Sequence, residues 1–165
     1  MFTLRKEVII HRPLDEMFEF FSRPENLALI TPPALGFHIL TPSPIDMRKD
    51  TVIDYTVKVM GVRIKWQSLI TEYEPPHMFV DEQSKGPYKV WRHRHTLSEV
   101  ADGTKITDEV LYALPFGVLG QLAHRVFVRS QLEDIFKYRT RVIRDLFEAK
   151  IPLEESEIAI AESDG

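Results

Sequence analysis

Thr51-Val52-Ile53-Asp54-Tyr55-Thr56-Val57-Lys58-Val59-Met60-Gly61-Val62-Arg63-Ile64-Lys65-Trp66-Gln67 carries two alternating runs around one turn. Successive side chains of a strand point to opposite faces. A tight turn at Met60-Gly61 sets Val59 opposite Val62, Val57 opposite Ile64 and Tyr55 opposite Trp66. The same register sets Lys58 opposite Arg63, Thr56 opposite Lys65 and Asp54 opposite Gln67. One face is apolar and the other polar, and both agree on the register. The segment therefore predicts an antiparallel hairpin with one side against a core. Methionine suits a two-residue primed turn poorly, and a four-residue loop would keep the same parity.

Working outward, Pro75-Pro76 breaks the pattern. Three further runs follow, from Met78 to Ser84, Val90 to Glu99 and Thr104 to Ala113, with turns at Lys85-Gly86-Pro87 and Asp102-Gly103. Upstream, Phe2 to Ile10 alternates as a first strand, with Phe2, Leu4, Val8 and Ile10 on one side. Pro13 then opens a helix whose Leu14, Met17, Phe18 and Phe21 share a face. Pro24 begins a second short helix reaching about Ile30, which Thr31-Pro32-Pro33 ends, and Phe37 to Leu40 is a short strand.

From Gly117 to about Phe147 the pattern turns helical for about eight turns. Its apolar stripe is Leu119, Leu122, Val126, Leu132, Ile135, Phe136, Val142, Ile143, Leu146 and Phe147. A lone helix of that length needs a large surface to lie on, and a strongly curved antiparallel sheet supplies one. Helices and strands segregated in this way mean an α+β fold. About seven strands would wrap around the long C-terminal helix and leave a cavity between them.

The chain has 165 residues, which fits one domain over residues 1–150. Residues 151–165 are expected as an acidic, disordered tail; from Leu153 onward there are acids and no base. With no cysteine, disulfides, thiolate nucleophiles and cysteine metal sites are excluded. A net charge of −4 gives no general attraction to nucleic acid, so no nucleic-acid partner is expected. No apolar run approaches the roughly 20 residues that cross a bilayer. The first residues lack the apolar core of a signal peptide, which makes cytoplasmic the default expectation.

The element order resembles the Bet v 1/START-like superfamily, also called SRPBCC, which has a helix-grip fold. Within it, the chain is similar to a bacterial group of ligand-binding or polyketide-cyclase-like proteins. The residues that carry this are Pro13-Leu14-Asp15-Glu16-Met17-Phe18-Glu19-Phe20-Phe21, Pro24-Glu25-Asn26-Leu27 and Thr31-Pro32-Pro33. Gly86-Pro87-Tyr88, Trp91-Arg92-His93-Arg94-His95 and Thr107-Asp108-Glu109-Val110-Leu111-Tyr112-Ala113-Leu114-Pro115 complete the set. The resemblance covers about residues 1–148. It implies a container with a deep cavity, shared across the family without a common catalytic set. Some relatives are fused to nucleotide-sugar-epimerase-like domains. This chain has no Gly-rich dinucleotide fingerprint, so no epimerase activity is expected.

Alternation places Trp91, His93, His95 and Leu97 on one face, which looks like a cavity wall. With Asp102-Gly103 as a two-residue turn, Leu97 faces Asp108, His95 faces Val110 and His93 faces Tyr112. A register shifted by two puts Asp108 opposite His95. Either way Asp108, Val110 and Tyr112 share the face of the histidines. Phe79, Asp81 and Gln83 join them if the odd-numbered residues of their strand point inward. The expected pocket has apolar walls from Tyr55, Trp66, Trp91 and the long helix, and a polar belt of His93, His95, Asp108 and Tyr112. A carboxylate raises a neighbouring imidazole pKa and burial lowers it, so a His–Asp pair could move protons near neutrality.

Three readings follow. The first is a binding protein for a small hydrophobic or aromatic ligand such as a lipid, quinone or polyketide-like molecule. The second is a cyclase, dehydratase or isomerase using His93 or His95 as base and Asp108 to orient it. The third is a protein-interaction module acting through the tail or a sheet edge. His93 and His95 also invite a metal reading, with Asp108 as third ligand. No fourth liganding group lies near in sequence, so neither metal nor cofactor is expected.

Overall fold

The computed structural model describes residues 1–59, 61–117, 127–148 and 158–162. Strand β1 (Phe2–Ile10) leads into helix α1 (Leu14–Phe21) and two short 3₁₀ turns, Pro24–Ala28 and Pro33–Leu35. Strands β2 (His38–Ile39), β3 (Val52–Val59), β4 (Val62–Glu74), β5 (Met78–Lys85), β6 (Val90–Val100) and β7 (Gly103–Ala113) follow. Helix α2 (Arg129–Phe147) and strand β8 (Ile158–Glu162) complete the described elements. The sheet is antiparallel in the order β2-β3-β4-β5-β6-β7-β1-β8, and α2 lies against it in a helix-grip α+β arrangement.

The β3–β4 hairpin has the expected register, with Val59 opposite Val62, Tyr55 opposite Trp66 and Asp54 opposite Gln67. Met60, expected in its turn, lies outside the described residues, as do Leu119, Leu122 and Val126 of the expected long helix. The second expected helix is instead the 3₁₀ turn Pro24–Ala28, a form the chain uses for short pieces with poorer hydrogen bonds. The expected disordered tail differs at Ile158–Glu162, which pairs with β1. Without that strand, β1 would end the sheet with a row of unpaired backbone groups, a ready template for one more strand.

The β6–β7 turn corrects the two-residue Asp102-Gly103 turn. Val100 pairs with Gly103, so the connection is Ala101-Asp102. Gly103 has φ 153°, and a Cβ there would lie 2.2 Å from the Ile10 carbonyl oxygen. Only glycine lets this strand begin so close to the end of β1. The shift of two sets His95 opposite Asp108, His93 opposite Val110 and Trp91 opposite Tyr112.

Two apolar clusters fill the space between sheet and helices. One gathers Val8, Ile10, Leu14, Met17, Phe18, Phe21, Ile30, Phe79, Leu97, Ile106 and Ile143. The other gathers Phe2, Leu4, Val110, Tyr112, Leu132 and Phe136. Each fully buried large side chain stabilises by about 1.5–3 kcal/mol. Five adjacent strands each contribute a polar residue to the inner face: Ser68 on β4, Asp81 on β5, His93 and His95 on β6, Asp108 on β7 and Lys6 on β1. This belt crosses the inner face of the sheet.

Candidate functional site

The register of β5, β6 and β7 builds the centre of the belt. Phe79 lies opposite His95, Asp81 opposite His93 and His95 opposite Asp108. His93, His95 and Asp108 are each at most 5% exposed. Burial raises a carboxyl pKa, but the hydrogen bond from His93 and the close imidazole of His95 outweigh it and hold Asp108 well below the usual range. Asp81 is likewise lowered, chiefly by the hydrogen bond from His95 against the effect of burial. Both carboxylates are therefore ionised and accept. His93 Nε2–H donates to Asp108 Oδ1 at 2.9 Å, and His95 Nε2–H donates to Asp81 Oδ2 at 3.2 Å.

His95 Nδ1 also lies 2.9 Å from Asp108 Oδ1, without the alignment of a hydrogen bond. Burial opposes charge on His95, but the two carboxylates raise its pKa above the ordinary value. Burial and the neighbouring His95 lower that of His93. The imidazoles lie tilted to one another, 3.8 Å between ring centroids, and two such neighbours share one proton more easily than two. The carboxylates favour the charged form of His95, while burial and His95 favour the neutral form of His93. The chain continues outward from Asp81: Ser68 Oγ–H donates to Asp81 Oδ1 at 3.5 Å, and Tyr55 OH lies 3.2 Å from Ser68 Oγ. Burial, and then Asp81, push the Tyr55 phenol above its usual pKa.

Helix α2 brings Arg139 to the same place. Its side chain is 12% exposed, its Nη1 lies 3.8 Å from Asp108 Oδ1, and its guanidinium sits 5.0 Å from the centre of the Phe136 ring. Its Nε and Nη1 are buried and make no hydrogen bond among the described residues.

A cavity of about 150 Å³ opens beside this group. Tyr55, Trp66, Tyr88 and Trp91 form an aromatic wall, Leu132 and Phe136 the helix side, and His93 and Arg139 the polar end. Trp66 stands edge-on to Trp91 at 5.3 Å and stacks on Tyr55 at 5.9 Å. Leu35, Gln131 and Ile135 are shared with an open groove of about 490 Å³, which makes the groove the approach to the cavity. A second space of about 40 Å³ lies on the other side of the belt, bounded by Asp81, His95, Arg139 and Phe79.

Of the residues singled out in the sequence, Tyr55, Trp66, Trp91 and His93 line the larger cavity. Phe79, Asp81 and His95 line the smaller one, so the odd-numbered residues of β5 do point inward at these positions. Asp108 stands behind the histidines. Two others line neither space. Tyr112 is fully buried within an apolar cluster, where burial pushes its phenol up to about 12. Gln83 is spent on the next turn: its Nε2 donates to the Tyr88 carbonyl at 2.8 Å and its Oε1 accepts from Tyr88 N–H at 3.1 Å.

Arg139 and Lys6 were missed. Arg139 sits three residues after Phe136 and four before Ile143, inside the buried stripe of α2. Lys6, 3% exposed, occupies an inner position of β1 opposite Asp108. Burial and the nearby Arg144 lower its pKa. A charge at an apolar-period position was the available signal in both cases.

Among solved structures, protein Ms6760 from Mycobacterium smegmatis is 18% identical over 89% of this chain and 91% of that one, with a TM-score of 0.65. The di-domain ARO/CYC BexL from the BE-7585A biosynthetic pathway is 21% identical over 90% of this chain and 50% of that one, with a TM-score of 0.68. A nucleoside-diphosphate sugar epimerase from Corynebacterium glutamicum is 25% identical over 86% of this chain but only 28% of its own, with a TM-score of 0.65. A search of curated proteins found no match. Among the described residues no helix is long and apolar enough to cross a membrane. The sequence profile described as "Polyketide cyclase / dehydrase and lipid transport" matches residues 10–138, and with the fold and cavity described above the chain belongs to that family.

Proposed function

We propose that the chain binds a small hydrophobic or aromatic molecule carrying acceptor oxygens, of lipid, quinone or polyketide-like type, in the larger cavity. The observation that carries this is an aromatic wall ending on unpaired donors. Arg139 Nε and Nη1 and Trp66 Nε1 are buried without a hydrogen-bond partner among the described residues. A buried donor left unmade costs about 1–3 kcal/mol, which a ligand carbonyl or carboxylate would recover. The volume of about 150 Å³ suits one aromatic ring, since an apolar cavity of that size in another protein holds benzene. The rest of the molecule would lie in the adjoining groove. The ARO/CYC likeness of BexL supports a polyketide-like ligand by analogy of fold.

The chain's two tryptophans, Trp66 and Trp91, both line the cavity, so intrinsic fluorescence reads it directly. Saturable quenching by a naphthoquinone, a fatty acid or an aromatic diketone, weakened by Arg139→Met, supports the proposal. Absence of quenching and of thermal stabilisation with all three overturns it.

One observation favours acid–base chemistry of the cyclase, dehydratase or isomerase type. Neutral His93 lies at the cavity wall with its Nε2–H held by Asp108. That is the orienting contact a general base needs. Its Nδ1, 3.7 Å from Asp81, would be the atom that takes the proton. On this reading Asp108→Asn cuts turnover strongly in a protein that still folds. Undiminished turnover in both His93→Ala and His95→Ala removes it.

A further inference from the structure

The contact between His93 Nδ1 and Asp81 Oδ2 is anomalous for a settled polar network. His93 Nε2 lies 2.9 Å from Asp108 Oδ1, which leaves the other ring nitrogen, Nδ1, turned toward Asp81. There it faces a carboxylate oxygen at 3.7 Å in a buried setting. At that separation no hydrogen bond joins the two atoms. A cation between them makes a bond to each.

We propose that Asp81 Oδ2, His93 Nδ1 and His95 Nε2 form a binding site for a divalent transition-metal ion, with zinc the best match. The three atoms lie within 4.8 Å of one another. Zinc bonded tetrahedrally at about 2.0–2.1 Å sets its ligand atoms about 3.3 Å apart. The measured edges, 3.2 Å from Asp81 Oδ2 to His95 Nε2 and 3.7 Å to His93 Nδ1, bracket that value. Two imidazoles and one carboxylate are a ligand set suited to zinc, with nitrogen donors favouring it over magnesium or calcium.

The surroundings supply what such a site requires beyond its ligands. Metal-binding histidines usually give their other ring N–H to a carboxylate, which fixes the tautomer. Asp108 Oδ1 stands 2.9 Å from both far nitrogens, Nε2 of His93 and Nδ1 of His95. The ion would replace the proton on His95 Nε2, and Nδ1 would then carry the hydrogen facing Asp108. Asp81 and Asp108 supply two negative charges against the dication and the nearby Arg139, which lies 3.8 Å from Asp108 and also borders the space beside Asp81 and His95. The space of about 40 Å³ bounded by Asp81 and His95 exceeds the roughly 10–15 Å³ that one water needs. Beside Asp81 and His95 it has the room for a fourth, exchangeable ligand, as zinc sites with three protein ligands require, although Phe79, Arg139 and apolar side chains make up the rest of its wall. The spacing of His93 and His95 alone could not reveal this, because the third ligand comes from the neighbouring strand.

The test uses the full chain, stripped with a chelator and then freed of it, and titrated with Zn²⁺ and Co²⁺ by calorimetry and visible absorption. One ion per chain and tetrahedral Co²⁺ bands are expected. Asp81→Asn and His95→Gln should each weaken binding at least about a hundredfold, and Asp108→Asn about ten- to a hundredfold. Exposed His38→Gln and His77→Gln should change nothing. Absence of uptake by the wild type overturns the proposal, and so does binding that survives both ligand substitutions. Should those variants fail to fold, X-ray absorption at the zinc edge of the wild type decides. A shell with two imidazoles and a carboxylate supports the site, and any other shell overturns it.

Discussion

Asp108→Asn removes one negative charge from the belt and keeps the side chain's shape. The amide oxygen can still accept from His93 Nε2, so that bond survives in neutral form. A hydrogen bond to a charged group contributes about 1.5–3 kcal/mol and a neutral one about 0.5–1.5, so the exchange costs about 1 kcal/mol. The larger loss is the counter-charge for His95, 2.9 Å away, and Arg139, 3.8 Å away. Breaking a buried pair costs about 3–5 kcal/mol because the remaining charge is stranded. Asp81 still faces His95 at 3.2 Å, which favours the lower end. The expected destabilisation is about 4 kcal/mol, or about 8–16 °C for a domain of this size. Urea unfolding at neutral pH, followed by tryptophan fluorescence, measures it. A double-mutant cycle with Arg139→Met should show a coupling of at least about 0.5 kcal/mol. A loss under about 1 kcal/mol, or strict additivity in the cycle, refutes the reasoning that balanced charge holds the belt together.

Three further outcomes are expected. Gly103→Ala forces a Cβ to 2.2 Å from the Ile10 carbonyl oxygen, so it should cost about 2 kcal/mol or more in thermal or urea unfolding, whereas Gly61→Ala, with open space around it, should cost less. Gln83→Met removes both hydrogen bonds to the Tyr88 backbone, which should cost about 1–2 kcal/mol and weaken quenching of the cavity tryptophans by any ligand that binds there. Burial acts to raise the Glu25 pKa, but hydrogen bonds from backbone N–H groups, including that of Ile45, and from Ser43 leave it below its ordinary 4.5. Its contribution is complete above pH 4.5 and lost as pH falls through the folded value. Glu25→Gln should therefore flatten the acid dependence of stability just below pH 4.5, and an unchanged slope there would count against the contact.

The hairpin at 51–67 was legible because both of its faces select one register. The β6–β7 hairpin was less so. Asp102-Gly103 is a strong turn signal, but the glycine is needed for close approach to Ile10 and not for the turn itself. That contact is tertiary and leaves no trace in local pattern. Since a shift of two preserves face parity, His93, His95 and Asp108 were still assigned to one wall. Gln83 also keeps the parity of its strand, yet its amide reaches the backbone of Tyr88 and not the cavity. Tyr112 is amphipathic and could have served either as wall or core; its neighbours Phe2, Leu4 and Leu132 decide for core. Arg139 and Lys6 occupy apolar-period positions, where the local pattern alone predicts a hydrophobic side chain and only the packed fold shows the charge turned inward.

Arg139 borders both internal spaces, one facing the aromatic wall and the other facing Asp81 and His95. A single guanidinium is thus a partition common to two compartments. Any guest that draws its charge toward one compartment changes the potential felt in the other. Thermodynamic linkage makes that influence mutual and equal in both directions. Occupancy of the two chambers is for that reason one coupled equilibrium, governed by where one side chain leans.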